Sequence, residues 1–165
     1  MKTSKRLAAC SLMAALSVIM MLLGAILDIG TYAAPMLASL CLIPIGKKYG
    51  AKYQVMVWLI ASLLAFLLIP NPEQNLMYFG LFGWYPILRP VLQRLPKLLR
   101  FAVKFLSLNA VMIGIEALVM LVLVPETMQS GWLIAFALLM NVLFICYDIL
   151  LPRMELVLRR VTEFL

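Results

Sequence analysis

The sequence contains no histidine. Without an imidazole, Ser-His-Asp triads, histidine acid–base chemistry and most zinc or haem ligation are excluded. Cysteine is scarce. Cys10, Cys41 and Cys146 each lie in an apolar run, with no CxxC and no paired spacing. They read as small packing residues rather than disulfide partners or metal ligands. Charge is thin as well, at 13% of the chain, and acids are the rarer sign, with 7 Asp+Glu against 14 Lys+Arg.

What is abundant is apolar side chain: 65% of 165 residues, with a mean hydropathy of +1.06. A soluble domain runs about 45–50% apolar and roughly 25% charged. A small soluble fold exposes too much of its area to hide this excess. The composition is that of an integral membrane protein. At about 20 residues per span, six helices use roughly 120 residues and leave only short loops, with no room for a soluble domain. The net charge of +7 is then read as cations holding helix ends on the cytoplasmic side, and no nucleic-acid partner is expected.

The start of the chain, Met1 to Arg6 and then an apolar run from Leu7, has the outline of a signal peptide. The run continues to about Ile26, and no small-x-small cleavage site with a polar mature region follows, so an uncleaved first span is expected. Further spans are predicted at about 31–45, 53–69, 76–88, 101–124 and 132–151. The second holds Pro35 and Pro44, and the third stops at Pro70-Asn71-Pro72. The fourth contains Gly80, Gly83 and Pro86. Amphipathic surface segments are predicted at 89–100, where Pro96 interrupts, and at 153–165.

Charge sorts the topology. If six spans alternate, Lys2, Lys5 and Arg6 share a side with Lys47, Lys48 and Lys52, with the Arg89–Lys104 cluster, and with Arg153, Arg159 and Arg160. All 14 basic residues then lie together, and the opposite connections hold only Asp28, Glu73 and Glu126. Five or seven spans break that sorting. The expected fold is therefore an all-α, polytopic bundle of six transmembrane helices in the cell membrane, a single transmembrane domain over 1–165 with both termini cytoplasmic. No repeat of fixed period is visible, so an inverted-repeat transporter is not supported.

Polar groups within spans are costly and mark either sites or helix contacts. Glu116 lies about fifteen residues into the fifth span, roughly 22 Å from its cytoplasmic start. It reads either as a ligand contact in an outward-facing pocket or as a carboxylate tying helices together. Asn109, two turns earlier on the same face, and Asn141 in the sixth span read as additional pocket lining or as interhelical amide bonds. Lys104 and Asp148 are expected to pair across helices five and six, with Tyr147 as an interface anchor. The outer connections hold Asp28, Thr31 and Tyr32, then Asn71-Pro72-Glu73-Gln74-Asn75, Tyr78 and Trp84. Amides, carboxylates and aromatics in those positions suit a lid and wall for a small polar or aromatic ligand. The candidate substrate-binding residues are thus Asp28, Tyr32, Asn71, Glu73 and Asn75, with Tyr78, Trp84, Asn109, Glu116 and Asn141. Trp132 reads as part of an aromatic belt.

Helix one opens Leu7-Ala8-Ala9-Cys10-Ser11-Leu12-Met13-Ala14-Ala15-Leu16-Ser17-Val18. This stretch resembles the first helix of the S components of energy-coupling factor (ECF) transporters, small six-helix bacterial membrane proteins that capture vitamins or metal ions at the outer face. The size, the span count and the proline-bearing second span agree with that family. The resemblance implies a coupling membrane protein and an ATPase pair as partners, docked through small residues of helix one. The family's alanine-x-x-x-alanine pattern stands here as Cys10-xxx-Ala14 and Ser11-xxx-Ala15. No signature for riboflavin, thiamine, biotin, folate or a metal is present, and the lack of histidine argues against the nickel or cobalt branch. The segment Tyr85 to Pro90 matches no subfamily pattern.

Two other readings compete. An intramembrane peptidase needs two aspartates together, whereas Asp28 and Asp148 fall at opposite faces, so no catalytic activity, cofactor or metal is expected. An accessory subunit of another membrane complex would use the basic stretch 89–100 as a docking or anionic-lipid patch. The function expected is capture of a small molecule for ATP-driven uptake.

Overall fold

In a computed structural model of the chain, the structure describes residues 2–27, 30–122 and 130–164; side chains at 2, 3, 116, 119–137 and 160–164 lie outside the description. The described residues are all-α, with no strand. Helix α1 (Lys2–Ile26) has no proline and only Gly24 near its end, so nothing interrupts it. Cys10, Met13, Ala14, Ser17, Val18 and Met21 form its buried stripe, spaced by three and four, while Leu12, Leu16, Ile19 and Leu23 are exposed.

The second predicted span is two helices. Helix α2 (Ala33–Leu40) and helix α3 (Leu42–Tyr49) meet at Cys41, whose N–H bonds to Ala38 rather than four residues back. Pro44 explains the joint: it lacks the N–H that would reach Leu40, and its ring crowds that carbonyl. Gly50, at φ +92, turns the chain into α4 (Ala51–Leu68). A left-handed conformation of this kind suits glycine because any Cβ would crowd the backbone. Helix α4 presents small buried residues inward (Ala61, Ser62, Ala65), and exposes Leu59, Leu63, Phe66 and Leu67.

The fourth predicted span is also broken. It comprises α5 (Pro72–Met77), a π-helical turn over Tyr78–Phe82 closed by Gly83 N–H to the Tyr78 carbonyl at 2.7 Å, and α6 (Tyr85–Leu92). Helix α7 (Lys97–Val122) and helix α8 (Ser130–Phe164) complete the bundle. Two cores result. One joins α1, α2, α3 and α4 around Met21, Leu42, Val57 and Ala61. The other joins the π turn, α6, α7 and α8 around Phe82, Tyr85, Leu108 and Phe144. The π turn links them, with Tyr78 in the first core and Leu81 and Phe82 in the second.

Three of the described helical segments, not six, are long and apolar enough to cross a membrane: Ser4–Ile26, Ala51–Leu68 and Lys97–Ile115. Proline and the π turn split the second and fourth predicted spans into pieces of eight residues or fewer. The sixth predicted span lies within α8. The two predicted surface segments are corrected as well. In residues 89–100 the turn at 93–96 separates α6 from α7, the interruption expected at Pro96, but Arg89 is buried in α6 rather than on a surface. Residues 153–164 are not a separate helix but continue α8 through Pro152. Leucine, isoleucine and phenylalanine are nonetheless exposed along α1, α4, α7 and α8, an exterior compatible with a membrane protein.

Candidate functional site

Helix α5 is built to start where it does. Asn71 accepts the Gln74 N–H at 3.2 Å as its N-cap, and Pro72 occupies the first turn, where a missing N–H costs nothing. This turn of helix delivers Glu73, Gln74 and Asn75 to one place. Tyr32, ahead of α2, donates its hydroxyl to Glu73 Oε1, closing the α1–α2 connection onto α5. The wholly buried Gln74 donates Nε2 to the Met21 carbonyl of α1 at 2.6 Å, and Asn75 donates Nδ2 to the Ile69 carbonyl at 2.9 Å.

Those two donations fix the amide orientations, because a carbonyl partner demands the NH2 end. Gln74 Oε1 and Asn75 Oδ1 are left buried without a hydrogen-bond partner. On α4, which packs against α5, Trp58 Nε1 and Ser62 Oγ are buried and unpartnered as well. Each such group costs about 1–3 kcal/mol, so four on two packed elements is a concentration of unmet polarity. All four are uncharged, and together they offer acceptors and donors.

The other candidate residues divide. Tyr78 is fully buried with its hydroxyl beside Ser17 and Cys41, and Ser17 donates to the Ala38 carbonyl at 3.0 Å. Trp84 donates its indole N–H to the Gly80 carbonyl beside the π turn. Asn109 and Asn141 form a reciprocal amide pair at 3.1 and 3.2 Å, joining α7 to α8. The Asp28 position and the Glu116 side chain lie outside the described residues. Of the small residues on α1, Cys10 and Ala14 face the bundle interior, whereas Ser11 and Ala15 are exposed.

A second constellation lies where the basic residues gather. Lys104 on α7 bonds both Asp148 oxygens on α8, at 2.8 and 2.7 Å, as the pairing of those helices required. Asp148 also accepts the Tyr85 hydroxyl, and Arg89 Nε lies 3.9 Å from it. The Arg89 guanidinium bonds Glu155, which also pairs with Lys47 of α3 at 3.2 Å. Tyr147, expected as an interface anchor, is instead buried, hydrogen-bonded to Ser39 of α2 and packed on Tyr85.

No family model, curated protein or solved structure matches this chain.

Sequence reasoning missed Gln74, Trp58 and Ser62 in the first constellation, and Arg89 and Glu155 in the second. A signal existed for the last two. Asp148 and Glu155 are seven residues apart, hence on one helix face, and Arg89 sits between Pro86 and Pro90 in an apolar run. No comparable signal marked Trp58 and Ser62, since their unpartnered state depends on which helices pack against α4. Among the described residues no group of histidine, cysteine, aspartate and glutamate could hold a metal ion.

Proposed function

We propose that this chain is a membrane-embedded capture subunit, binding a small, vitamin-like molecule at the outer face for uptake driven by an ATP-hydrolysing partner. The observation that carries the reading is the set of four uncharged, buried, unpartnered polar atoms on α4 and α5: Trp58 Nε1, Ser62 Oγ, Gln74 Oε1 and Asn75 Oδ1. A neutral ligand with both donors and acceptors would satisfy them, whereas an ionic ligand would find no countercharge. Interrupted helices support it too. The α2–α3 joint and the α5–π–α6 run break the regular helical pattern within the bundle, as discontinuous helices do near substrate in transport proteins.

In this reading the bundle crosses the cell membrane six times, with α2–α3 and α5–π–α6 as broken spans, and with both termini cytoplasmic. The Asn71–Asn75 turn is then extracellular and the Lys104–Asp148 cluster cytoplasmic. The partners are those implied by resemblance to ECF S components, a coupling membrane protein and an ATPase pair. The exposed Ser11 and Ala15 face of α1 is available to them, while Cys10 and Ala14 serve packing within the bundle.

The test is recovery of tagged protein from native membranes in mild detergent, with mass spectrometry of co-purifying proteins and retained small molecules. An ATPase pair, a coupling protein and one metabolite are expected, and Gln74→Leu with Asn75→Leu is expected to lose the metabolite while keeping the partners. An unrelated membrane partner and no metabolite would overturn the proposal. That outcome would favour the second reading, an accessory subunit of another complex, for which the closed Asn109–Asn141 pair speaks because it acts as helix glue.

A further inference from the structure

The strongest unassigned feature lies at the other end of the bundle. A cavity of about 300 Å³ opens between α6, α7 and α8, lined by Arg89, Gln93, Lys97, Arg100, Lys104 and Asp148 among others. Four cations thus line it with one carboxylate; Lys104 already holds that carboxylate and Arg89 is paired with Glu155, which leaves Lys97 and Arg100 as the excess charge. Among the described residues neither Lys97 nor Arg100 has an ion-pair partner, and Arg89 Nε is buried without a hydrogen bond on a residue only 7% exposed. The cavity also sits at the start of the 26-residue α7, where the first amides carry partial positive charge. Its electrostatics call for an anion.

Directly beside it runs a second cavity of about 220 Å³, sharing Phe101, Lys104 and Asp148 and continuing along the α7–α8 seam past Phe105, Phe144 and Ile145. Its walls are chiefly apolar, and Phe101, Phe105, Ile145 and Ile149 are all exposed on the outside of the bundle. A cationic cleft joined to an apolar slot on a lipid-facing seam has the shape of an amphiphile with an anionic head. A free phosphate would use only the first cavity.

We propose that these adjoining cavities form a binding site for an anionic phospholipid, its phosphate held by Arg89, Lys97 and Arg100 and one acyl chain laid between α7 and α8. The Arg100 guanidinium offers the forked donors that match phosphate oxygens, Arg89 adds its unbonded Nε while its Nη1 stays on Glu155, and Lys97 adds a point charge at the rim. The lipid thereby bridges α6, α7 and α8, supplementing the ionic contacts of Asp148 and Glu155.

The test uses the purified full-length protein in a neutral detergent, following thermal unfolding against added phosphatidylglycerol, phosphatidylcholine or inorganic phosphate. Phosphatidylglycerol is expected to raise the midpoint and to bind at least about tenfold more tightly than phosphatidylcholine. The double variant Lys97→Gln with Arg100→Gln is expected to lose at least about tenfold in that affinity, its charges no longer contributing. Ile145→Trp, which fills the apolar slot from an exposed position, is expected to lower phosphatidylglycerol affinity without touching a charge, and stands as the test should the double variant not fold. Equal response to both lipids would overturn the proposal, as would unchanged affinity in the variants. Inorganic phosphate matching the lipid's effect would overturn it in favour of a soluble phosphate site.

Discussion

Asp148 and Glu155 lie on one face of α8 and collect cations from three other helices: Lys104 from α7, Arg89 from α6 and Lys47 from α3. Replacing Asp148 with leucine removes the carboxylate but leaves Lys104, whose side chain is 13% exposed, and Arg89 facing each other. An uncompensated buried charge costs about 3–5 kcal/mol, and the 28% exposure of Asp148 puts this case at the lower end. Lys104→Met relieves part of that penalty. In a double-mutant cycle followed by unfolding in detergent, Asp148→Leu with Lys104→Met is therefore expected to fall short of the summed single losses. Additivity within about 0.5 kcal/mol would show that the two residues are not coupled. The pairing of Lys104 with Asp148 was legible in the sequence because two opposite charges in apolar spans have few alternatives. Arg89 carried a signal in its place between Pro86 and Pro90, but its partner did not, because the sequence does not say which carboxylate a buried arginine meets.

Proline and glycine set the limits of the elements. Pro44 divides α2 from α3, Pro72 begins α5, and Pro96 precedes α7, each where a missing N–H or a fixed φ decides the outcome. Glycine acts through contact as well as conformation. A Cβ built on Gly24 would lie 2.2 Å from the Ala34 Cβ, so α1 and α2 approach over a bare backbone there. Gly24→Val is expected to force those helices apart and cost about 1–3 kcal/mol, as overpacking does. Gly114, within α7, has nothing within 4 Å of the same position. Gly114→Ala is expected to be neutral or to stabilise by up to about 1 kcal/mol through helix propensity. Thermal midpoints in one detergent distinguish the two, and a harmless Gly24→Val would mean that the close α1–α2 approach is not required.

At the scale of the molecule, the alternating topology makes a claim about sides. Lys48 lies in the last turn of α3 and Asn71 follows α4. In a background with Cys10, Cys41 and Cys146 replaced, Lys48→Cys is expected to react with a membrane-impermeant maleimide only after the cells are opened. Asn71→Cys is expected to react from outside in intact cells. Labelling of both from one side would mean that α4 does not cross, and the six-crossing proposal would fail with it.

Local rules were enough to read an all-α, strongly apolar chain and its breaks at Pro70–Pro72 and Pro96, because hydropathy and proline geometry act over one or two turns, but not that α8 runs on through Pro152. They placed a connection at Asn71–Asn75 but not the helix that occupies it, which Asn71 caps and Pro72 begins. Only tertiary structure decided which polar atoms are left unmet. Asn109 and Asn141 look like site residues until each supplies the other's hydrogen bonds. Trp58 and Ser62 look like ordinary span residues until packing against α4, with Phe79 of the π turn stacked on Trp58, buries their polar atoms without partners. The reason is that hydrogen-bond satisfaction belongs to pairs of groups, and membership of a pair depends on residues far apart in the chain.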